Sequence, residues 1–188
     1  MKICLDPGHS GPFEPGACAG GYSEADLNLT IAKTLRTLLE AAGHRCILTR
    51  SGSIGNDDLT WRADVAWDFD AVIFVSLHCN AFADSAACGT EILYYPGSNY
   101  GYRLARLIQT GIIRACHTVD RGVKPRGDLT VLKATACPAV LVELAFLTNQ
   151  ADRDKLTSPI WQLQFCQGIL AGVNEFERGL IASGTAKL

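Results

Sequence analysis

Three side chains that can bind a metal ion or transfer a proton lie at the carboxyl ends of predicted strands. His9 follows a short apolar strand at residues 2–5, and His78 follows the apolar run at residues 71–77. Glu143 lies at the end of a third apolar run, at residues 139–144. Ligands of open α/β sheets bind outside the carboxyl ends of the strands. If these strands are parallel, the three side chains meet at one edge of the sheet.

A fourth residue, Glu24, can reach the same edge. It lies in the first turn of a helix that begins after the loop following His9, with Ser23 as a plausible N-cap. Two histidines and one carboxylate around an open position form a common catalytic zinc set. Zinc lowers the pKa of bound water and polarises a carbonyl group, and a further carboxylate can carry a proton to a leaving nitrogen. These residue types indicate metal-assisted amide hydrolysis, although no short motif such as H-E-x-x-H joins the ligands.

Each of these residues also has a purely structural interpretation. His9 lies in a glycine-rich turn where its ring can simply be hydrogen-bonded, and His78 can be satisfied by backbone groups at a strand end. Glu24 lies where the helix dipole favours a carboxylate in any case. Glu143 is harder to explain structurally, because a carboxylate among apolar residues is costly unless it is paired or functional. Burial there would raise its pKa towards the range of a general acid or base.

Three other titratable residues are weaker candidates. His44 lies in a predicted helix-to-strand turn, and His117 follows a predicted helix, where the dipole favours a histidine. We interpret both histidines as structural or surface residues. Glu91 opens a predicted strand that could border the same cleft, so it is the nearest competitor of Glu143 for proton transfer.

The elements that must position these residues alternate between strand and helix along the chain. This alternation is typical of an α/β fold with a largely parallel sheet. The predicted strands are residues 2–5, 45–49, 71–77, 90–95 and 139–144. The predicted helices run from Ser23 to Gly43, from Asp57 or Asp58 through Ala66, over residues 99–116 and over residues 159–176.

Length and composition limit the classes of protein to consider. The 188 residues fit a single domain, and the 48% of hydrophobic residues can form a substantial core. A net charge of −2 lacks the basic footprint of a nucleic-acid-binding protein. The longest apolar runs are strand-sized, so we expect no membrane span.

The eight cysteines are expected to be mostly free and buried. None belongs to a C-x-x-C pair, which argues against a thiolate zinc site, and several lie within apolar stretches. The even count also permits disulfides. Cys79 is expected to face away from the metal site, because its neighbour His78 faces towards it and successive strand residues alternate between faces.

Several ordered sequence blocks resemble one known family. Residues 3–11 are similar to a D-P-G-H-G-G opening, residues 24–29 to E-x-D-L-N-L, and residues 43–50 to G-x-x-V-x-L-T-R. Residues 76–81 are similar to S-x-H-x-N-A, residues 89–91 to G-x-E, and residues 138–149 to P-x-x-L-x-E-x-G-F-x-x-N. Together these blocks resemble the zinc-dependent N-acetylmuramoyl-L-alanine amidases of the amidase 3 type, found in bacterial autolysins and phage endolysins. The chain departs from the pattern at Ser10, at Ala145 and in a loop at residues 12–16 that is one residue longer.

The resemblance implies a fold, a site and a substrate. The fold would be a single domain with a twisted, mostly parallel sheet and helices on both faces. His9, Glu24 and His78 would hold one Zn²⁺ per chain, and Glu143 would be the catalytic carboxylate. The substrate would be peptidoglycan, cut between the lactyl group of N-acetylmuramic acid and L-alanine. Residues 1–178 would form the amidase catalytic domain and residues 179–188 a loose C-terminal tail.

The sequence also leads to expectations about the oligomeric state, the location and the competing functions of the protein. We expect a monomer that is made without a signal peptide, stored in the cytoplasm and active on the cell wall. The alternative is a domain excised from a secreted protein. A non-catalytic wall-binding domain and a zinc hydrolase or carboxypeptidase with other substrates are the competing functions. The presence of all four candidate residues argues against the first of these.

Overall fold

Strands and helices alternate through residues 1–55 and 58–184, which are the residues that the computed structural model describes. The strands are β1 (Lys2–Pro7), β2 (Cys18–Ala19), β3 (Tyr22–Ser23), β4 (Arg45–Leu48), β5 (Ile73–Asn80), β6 (Thr90–Tyr94), β7 (Asp120–Pro125) and β8 (Ala139–Phe146). The helices are α1 (Glu24–Ala41), α2 (Leu59–Asp68), α3 (Asn99–Cys116), α4 (Thr130–Ala134), α5 (Gln150–Thr157) and α6 (Pro159–Ala182).

The central sheet has six strands in the order β4-β1-β5-β8-β6-β7. Its neighbouring strands are parallel except for β6 and β8, which are antiparallel. The predicted mostly parallel α/β sheet is therefore confirmed. Because β6 runs against β8, the start of β6 lies at the same sheet edge as the carboxyl ends of β1, β5 and β8.

Both faces of the sheet are buried. Neighbouring residues of β5 enter different core clusters: Phe74 packs in a cluster with Ala66 and Val131 of α2 and α4, whereas Val75 packs with residues of α1, α3 and α6. This separation follows from the alternation of side chains between the two faces of a strand. It also explains the nearly continuous apolar sequence of β5 and β8, which is typical of strands covered on both faces. The expected helices on both faces are present.

Some elements were not predicted from the sequence. Strand β7 contains charged residues, Gly122 and Pro125, and it is largely exposed, as is common at the edge of a sheet. Helix α4 has only five residues, and the β2–β3 hairpin has two residues in each strand. The predicted start of α2 fell on Asp57 or Asp58. Asp58 is the N-cap and accepts a hydrogen bond from the Thr60 amide, while Asp57 lies outside the described residues.

The predicted end of the last helix was wrong. Helix α6 continues to Ala182, past the expected end at Phe176, so residues 179–182 are helical rather than part of a loose tail. The burial of Leu180 in the core explains the extension. Residues 185–188 lie outside the described part of the chain. Among the described residues, no helix has the length and apolarity of a membrane span.

Candidate metal centre and proton-transfer carboxylate

Two buried arginines shape the loop that carries His9. The backbone of His9 is left-handed, with φ of 64°, an uncommon conformation for a residue with a side chain. Arg62 donates hydrogen bonds to the carbonyl oxygens of Pro7 and His9, at 2.9 and 2.8 Å. Arg50 donates to the carbonyl oxygens of Pro7 and Gly8, at 2.8 and 2.9 Å. These bonds fix the backbone from which the His9 ring projects.

A buried carboxylate, Asp6, holds Arg62 in this position. Asp6 forms an ion pair with Arg62, and both side chains are almost fully buried. Its oxygens also accept hydrogen bonds from the hydroxyl groups of Thr49 and Ser76, both at 2.6 Å. Asp6 thus joins β1, the end of β4 and β5 beneath the site. Asp6, Arg50 and Arg62 were not among the residues predicted to form the site, although the first two lie within the blocks that resemble the family.

Glu24 is fixed by the start of α1. Ser23 caps the helix by accepting a hydrogen bond from the Asp26 amide. The two Glu24 carboxylate oxygens accept hydrogen bonds from the backbone amides of Ala17 and Cys79, both at 3.0 Å. The carboxylate is therefore held between the loop before α1 and the end of β5.

The structure brings His9, Glu24 and His78 together. His9 Nε2 lies 3.0 Å from Glu24 Oε2, and His78 Nδ1 lies 2.9 Å from Glu24 Oε1. One potential ligand atom from each residue lies within 4.8 Å of those of the other two, a spacing at which the three could hold one metal ion. The proximity expected from the sequence is thus present. Their role as metal ligands stays a prediction.

Two glycines make room for the cluster. A Cβ atom on Gly8 would lie 2.2 Å from His78 Nε2. A Cβ atom on Gly16, where φ is 68°, would lie 2.5 Å from His9 Cδ2 and 2.6 Å from Glu24 Oε2. Backbone therefore packs directly against the imidazole rings and the carboxylate. A close-fitting cradle around a His–Glu–His set suits a small cation such as zinc.

The cluster is strongly coupled electrostatically. Burial lowers the pKa of His9, but hydrogen bonds with Glu24 and Glu14 outweigh it and raise that pKa to about 9. Burial also lowers the pKa of His78, and the Glu24 hydrogen bond and the nearby Glu143 charge outweigh it, so that this pKa is raised too. Burial raises the pKa of Glu24, but the hydrogen bonds with both histidines hold it well below its usual range. Glu24 is therefore an anion, as a metal ligand must be.

Glu143 lies beside this cluster on the neighbouring strand. It is the register partner of His78 across the parallel β5–β8 pair. Its Oε2 atom is buried and has no hydrogen-bond partner among the residues that the structure describes. Burial raises the pKa of the carboxyl group to about 7, with the His78 charge opposing and the Glu24 charge reinforcing the shift. Such a group can both accept and release a proton near neutral pH.

Glu91 has different surroundings and cannot readily take this role. Its carboxylate pairs with Arg121 and Lys124, each at 2.7 Å. Burial raises its pKa, but the hydrogen bonds with Lys124 and Arg121 outweigh it and leave the pKa below its usual value. Glu91 is therefore a fixed anion, and the competition that the sequence left open favours Glu143 for proton transfer.

The remaining histidines lie outside the cluster, as expected. His44 is buried, and its Nε2 atom lies 2.9 Å from Asn174 Oδ1. His117 is exposed and forms the left-handed C-cap of α3. We therefore interpret His44 as a structural residue and His117 as a surface residue.

All eight cysteines are free, and they differ in exposure. Four are buried, Cys18 is exposed, and the other three are partly buried, so the expectation of mostly buried thiols holds for half of them. The backbone amide of Cys79 binds Glu24, while its thiol is directed to Asn28 Oδ1 at 3.4 Å. Cys79 is thus next to the cluster without belonging to it.

A cavity of about 330 Å³ adjoins the cluster. His9, His78 and Glu14 contribute polar groups to its wall. The remaining lining is mainly apolar and comes from the start of α2, from the α4 region and from β8; it includes Leu59, Leu129, Val131 and Leu141. An apolar cleft with a few convergent polar groups is typical of a ligand-binding site.

The fold and this site together define an α/β domain with a His–Glu–His cluster beside a buried carboxylate whose pKa is raised. A family model described as N-acetylmuramoyl-L-alanine amidase matches residues 3–175. The chain therefore belongs to the N-acetylmuramoyl-L-alanine amidase family, in agreement with the resemblance noted from its sequence.

Individual relatives agree with this assignment. The N-acetylmuramoyl-L-alanine amidase LytC of Bacillus subtilis (strain 168) is 37% identical over 182 residues, which are 94% of this chain and 35% of LytC. The chain thus spans about a third of the length of LytC. The amidase AmiC2 of Nostoc punctiforme is 30% identical with a TM-score of 0.88, and the match covers 95% of this chain and 97% of AmiC2. The CwlD amidase of Clostridioides difficile, solved in complex with the GerS lipoprotein, is 32% identical with a TM-score of 0.89. This match covers 95% of the present chain and 98% of the CwlD chain.

Proposed function

We propose that the chain is a zinc-dependent amidase that hydrolyses the bond between N-acetylmuramic acid and L-alanine in peptidoglycan. The observation that carries the proposal is the position of Glu143 in register with His78 of the His–Glu–His cluster. Glu143 is buried, and its Oε2 atom has no hydrogen-bond partner among the described residues. The family to which the chain belongs, and relatives named as N-acetylmuramoyl-L-alanine amidases, support the choice of substrate.

The residues present fit a single zinc ion. His9 would bind through Nε2 and His78 through Nδ1, because these are the atoms that face Glu24. One carboxylate and two imidazoles match the ligand types of catalytic zinc sites. When bound, zinc supplies a Lewis acid for the amide carbonyl and lowers the pKa of water.

The protein's own groups supply proton transfer and positioning. Glu143, with a pKa near neutrality, accepts a proton from the attacking water and donates it to the departing amine of L-alanine. Asp6, Arg50 and Arg62 hold the His9 loop in place through buried hydrogen bonds. The cavity beside the cluster, lined mainly by apolar side chains, offers room for the substrate next to these groups.

A cell-wall digestion tests the proposal. Purified peptidoglycan is incubated with the zinc-loaded protein, and free L-alanine amino termini and new reducing sugar ends are measured in parallel. We expect amino termini to increase without new reducing ends, and Glu143→Gln to abolish most of the increase. Binding to the wall without release of amino termini would support the non-catalytic alternative. Release of other amino acids would support a zinc peptidase with a different substrate.

A further inference from the structure

A row of charged side chains extends from the candidate metal centre across three strands. His78 on β5 is the register partner of Glu143 on β8, and Glu143 is the register partner of Glu91 on β6. Partners in a sheet direct their side chains to the same face. Glu143 therefore lies between the cluster and Glu91, and the row continues to the cations of the edge strand β7.

Two cations of β7 share one carboxylate oxygen at the far end of this row. Arg121 Nε and Lys124 Nζ both bind Glu91 Oε2, at 2.7 Å each. The Glu91 side chain is only 12% exposed, whereas those of Arg121 and Lys124 are 34% and 44% exposed. Two positive charges on one negative charge leave a surplus positive charge beside the site. This surplus is local, because the whole chain has a net charge of −2.

The Arg121 side chain is also held against an aromatic ring. Its guanidinium carbon lies 4.9 Å from the centre of the Phe146 ring, at the end of β8. Stacking of this kind restricts the guanidinium group and leaves its planar donors oriented. A tie between β6 and β7 needs one cation on Glu91. The second cation is therefore not needed for this tie. Both cations are partly exposed and Arg121 is held in place, so they can bind an anionic group of a ligand.

The direction of the substrate follows from the role of Glu143. If Glu143 donates a proton to the departing amine, L-alanine lies at Glu143 and the peptide continues away from the cluster. The next strand in that direction is β6, about 5 Å away, and an extended peptide advances about 3.4 Å per residue. The residue after L-alanine therefore lies over Glu91 and its two cations. The N-acetylated sugars on the other side of the scissile bond offer no carboxylate to attract cations.

We propose that Arg121 and Lys124 form a subsite for a carboxylate on the second residue of the stem peptide. This inference rests on the proposed amidase function and names the part of the substrate that the cations recognise. A carboxylate that reaches both cations gains charge-assisted hydrogen bonds, which a neutral carboxamide at the same place does not offer. The chain would therefore prefer stem peptides whose second residue is acidic over those in which it is amidated.

Matched substrates test the subsite. Uncrosslinked glycan strands are prepared with stem peptides that begin L-alanine–D-glutamate or L-alanine–D-isoglutamine, which differ only in a free or amidated carboxyl group. We expect the parent enzyme to cleave the free-carboxylate strand with a kcat/KM higher by about tenfold or more, mainly through a lower KM. Equal kcat/KM values, or a preference for the amide, would overturn the subsite. Failure to cleave either strand would contradict the proposed amidase function itself.

Variants then locate the preference. Lys124→Gln and Arg121→Gln should each reduce the ratio of the two kcat/KM values towards one. The ratio is independent of the fraction of protein that is folded, since both substrates are measured on one preparation. Lys33→Gln, which removes an exposed cation from α1, is the matched control and should keep the parent ratio. If both β7 variants keep the parent ratio, another group is responsible for the preference and the assignment is wrong.

Discussion

Glu91 and Glu143 are register partners across the antiparallel β6–β8 pair, yet their carboxylates have opposite surroundings. Glu91 binds two cations, which hold its pKa below the usual value. Glu143 has a buried oxygen without a described hydrogen-bond partner, and burial raises its pKa to about 7. Neighbouring carboxylates with separated pKa values are typical of sites in which one group exchanges protons and the other stays charged.

Replacement of Glu143 should separate catalysis from metal binding. We expect Glu143→Gln to lower wall hydrolysis by about 10²–10⁴-fold, the usual contribution of a positioned acid–base group, while zinc content and fold are kept. Glu91→Gln should cost less, because Glu91 does not exchange a proton. Glu175→Gln, on the exposed face of α6, is a control for loss of a carboxylate. Loss of zinc from the Glu143 variant would instead assign it to holding a ligand in place.

The three cluster residues should account for the bound metal. We expect one zinc ion per chain when the protein is purified without chelator, and strongly reduced zinc in His9→Ala and His78→Ala, because each removes one of three protein ligands. His117→Ala is the control, since His117 is exposed at the C-cap of α3. Elemental analysis of the four proteins gives the answer. Full zinc in either ligand variant would show that the ligand assignment is wrong.

The position of the site could be predicted from the sequence because apolar runs show where the buried strands end. His9, His78 and Glu143 each follow or end an apolar run, and parallel neighbours bring such residues to one edge. The antiparallel direction of β6, which brings Glu91 beside Glu143, has no comparable signal in the sequence. Strand β7 was missed for a related reason, because an exposed, charged edge strand lacks the apolar pattern that identifies buried strands.

The buried ion pair beneath the site could not be predicted from the sequence either. Asp6 and Arg62 are 56 positions apart, and nothing local indicates that they meet. Charged residues are normally expected at the surface, and burial becomes acceptable only when partners are supplied by the tertiary fold. The sequence thus predicts which candidate residues lie together better than it predicts which buried residues support them.

Arg62 should be important for stability. Breaking a buried ion pair by removing one partner typically costs about 3–5 kcal/mol, and Arg62→Met would leave the buried Asp6 carboxylate without its cation. We expect a loss of that order in urea unfolding. Arg36→Met removes an exposed arginine that pairs with Glu40 on α1, so its effect should be below about 1 kcal/mol. Similar stabilities of the two variants would contradict the structural role of Arg62.

The cysteines should react in an order set by burial and pH. Burial raises the thiol pKa of Cys46 and of Cys137 to about 11, so about 0.1% of each is thiolate at pH 8. We expect alkylation of the native protein at pH 8 to label the exposed Cys18 first, and labelling of Cys46 and Cys137 to become faster as the pH rises towards 11. Peptide mass spectrometry measures each site. Denatured, unreduced protein should yield eight thiols, and a lower number would reveal disulfides.

Glu14 should strengthen metal binding although it is not a ligand. Its Oε1 atom is hydrogen-bonded to His9 Nδ1, while His9 Nε2 faces Glu24. A carboxylate on the second nitrogen of a metal-binding histidine fixes the ring orientation and makes the other nitrogen a better ligand, and its loss commonly lowers metal affinity about 10–100-fold. Glu14 lies in the loop between β1 and β2, so this contact ties that loop to the His9 ring.

We expect Glu14→Gln to weaken zinc binding by about 10–100-fold, measured by competition with a chromophoric chelator at fixed pH. Glutamine keeps the size of the side chain and can still form a neutral hydrogen bond, so the change isolates the carboxylate charge. Glu40→Gln, an exposed carboxylate near the end of α1, is the control and should keep the parent affinity. At saturating zinc the Glu14 variant should regain most of its wall hydrolysis, because Glu143 is untouched. An unchanged zinc affinity would show that Glu14 only closes the loop, and a loss of hydrolysis that zinc does not restore would place it in direct contact with the substrate.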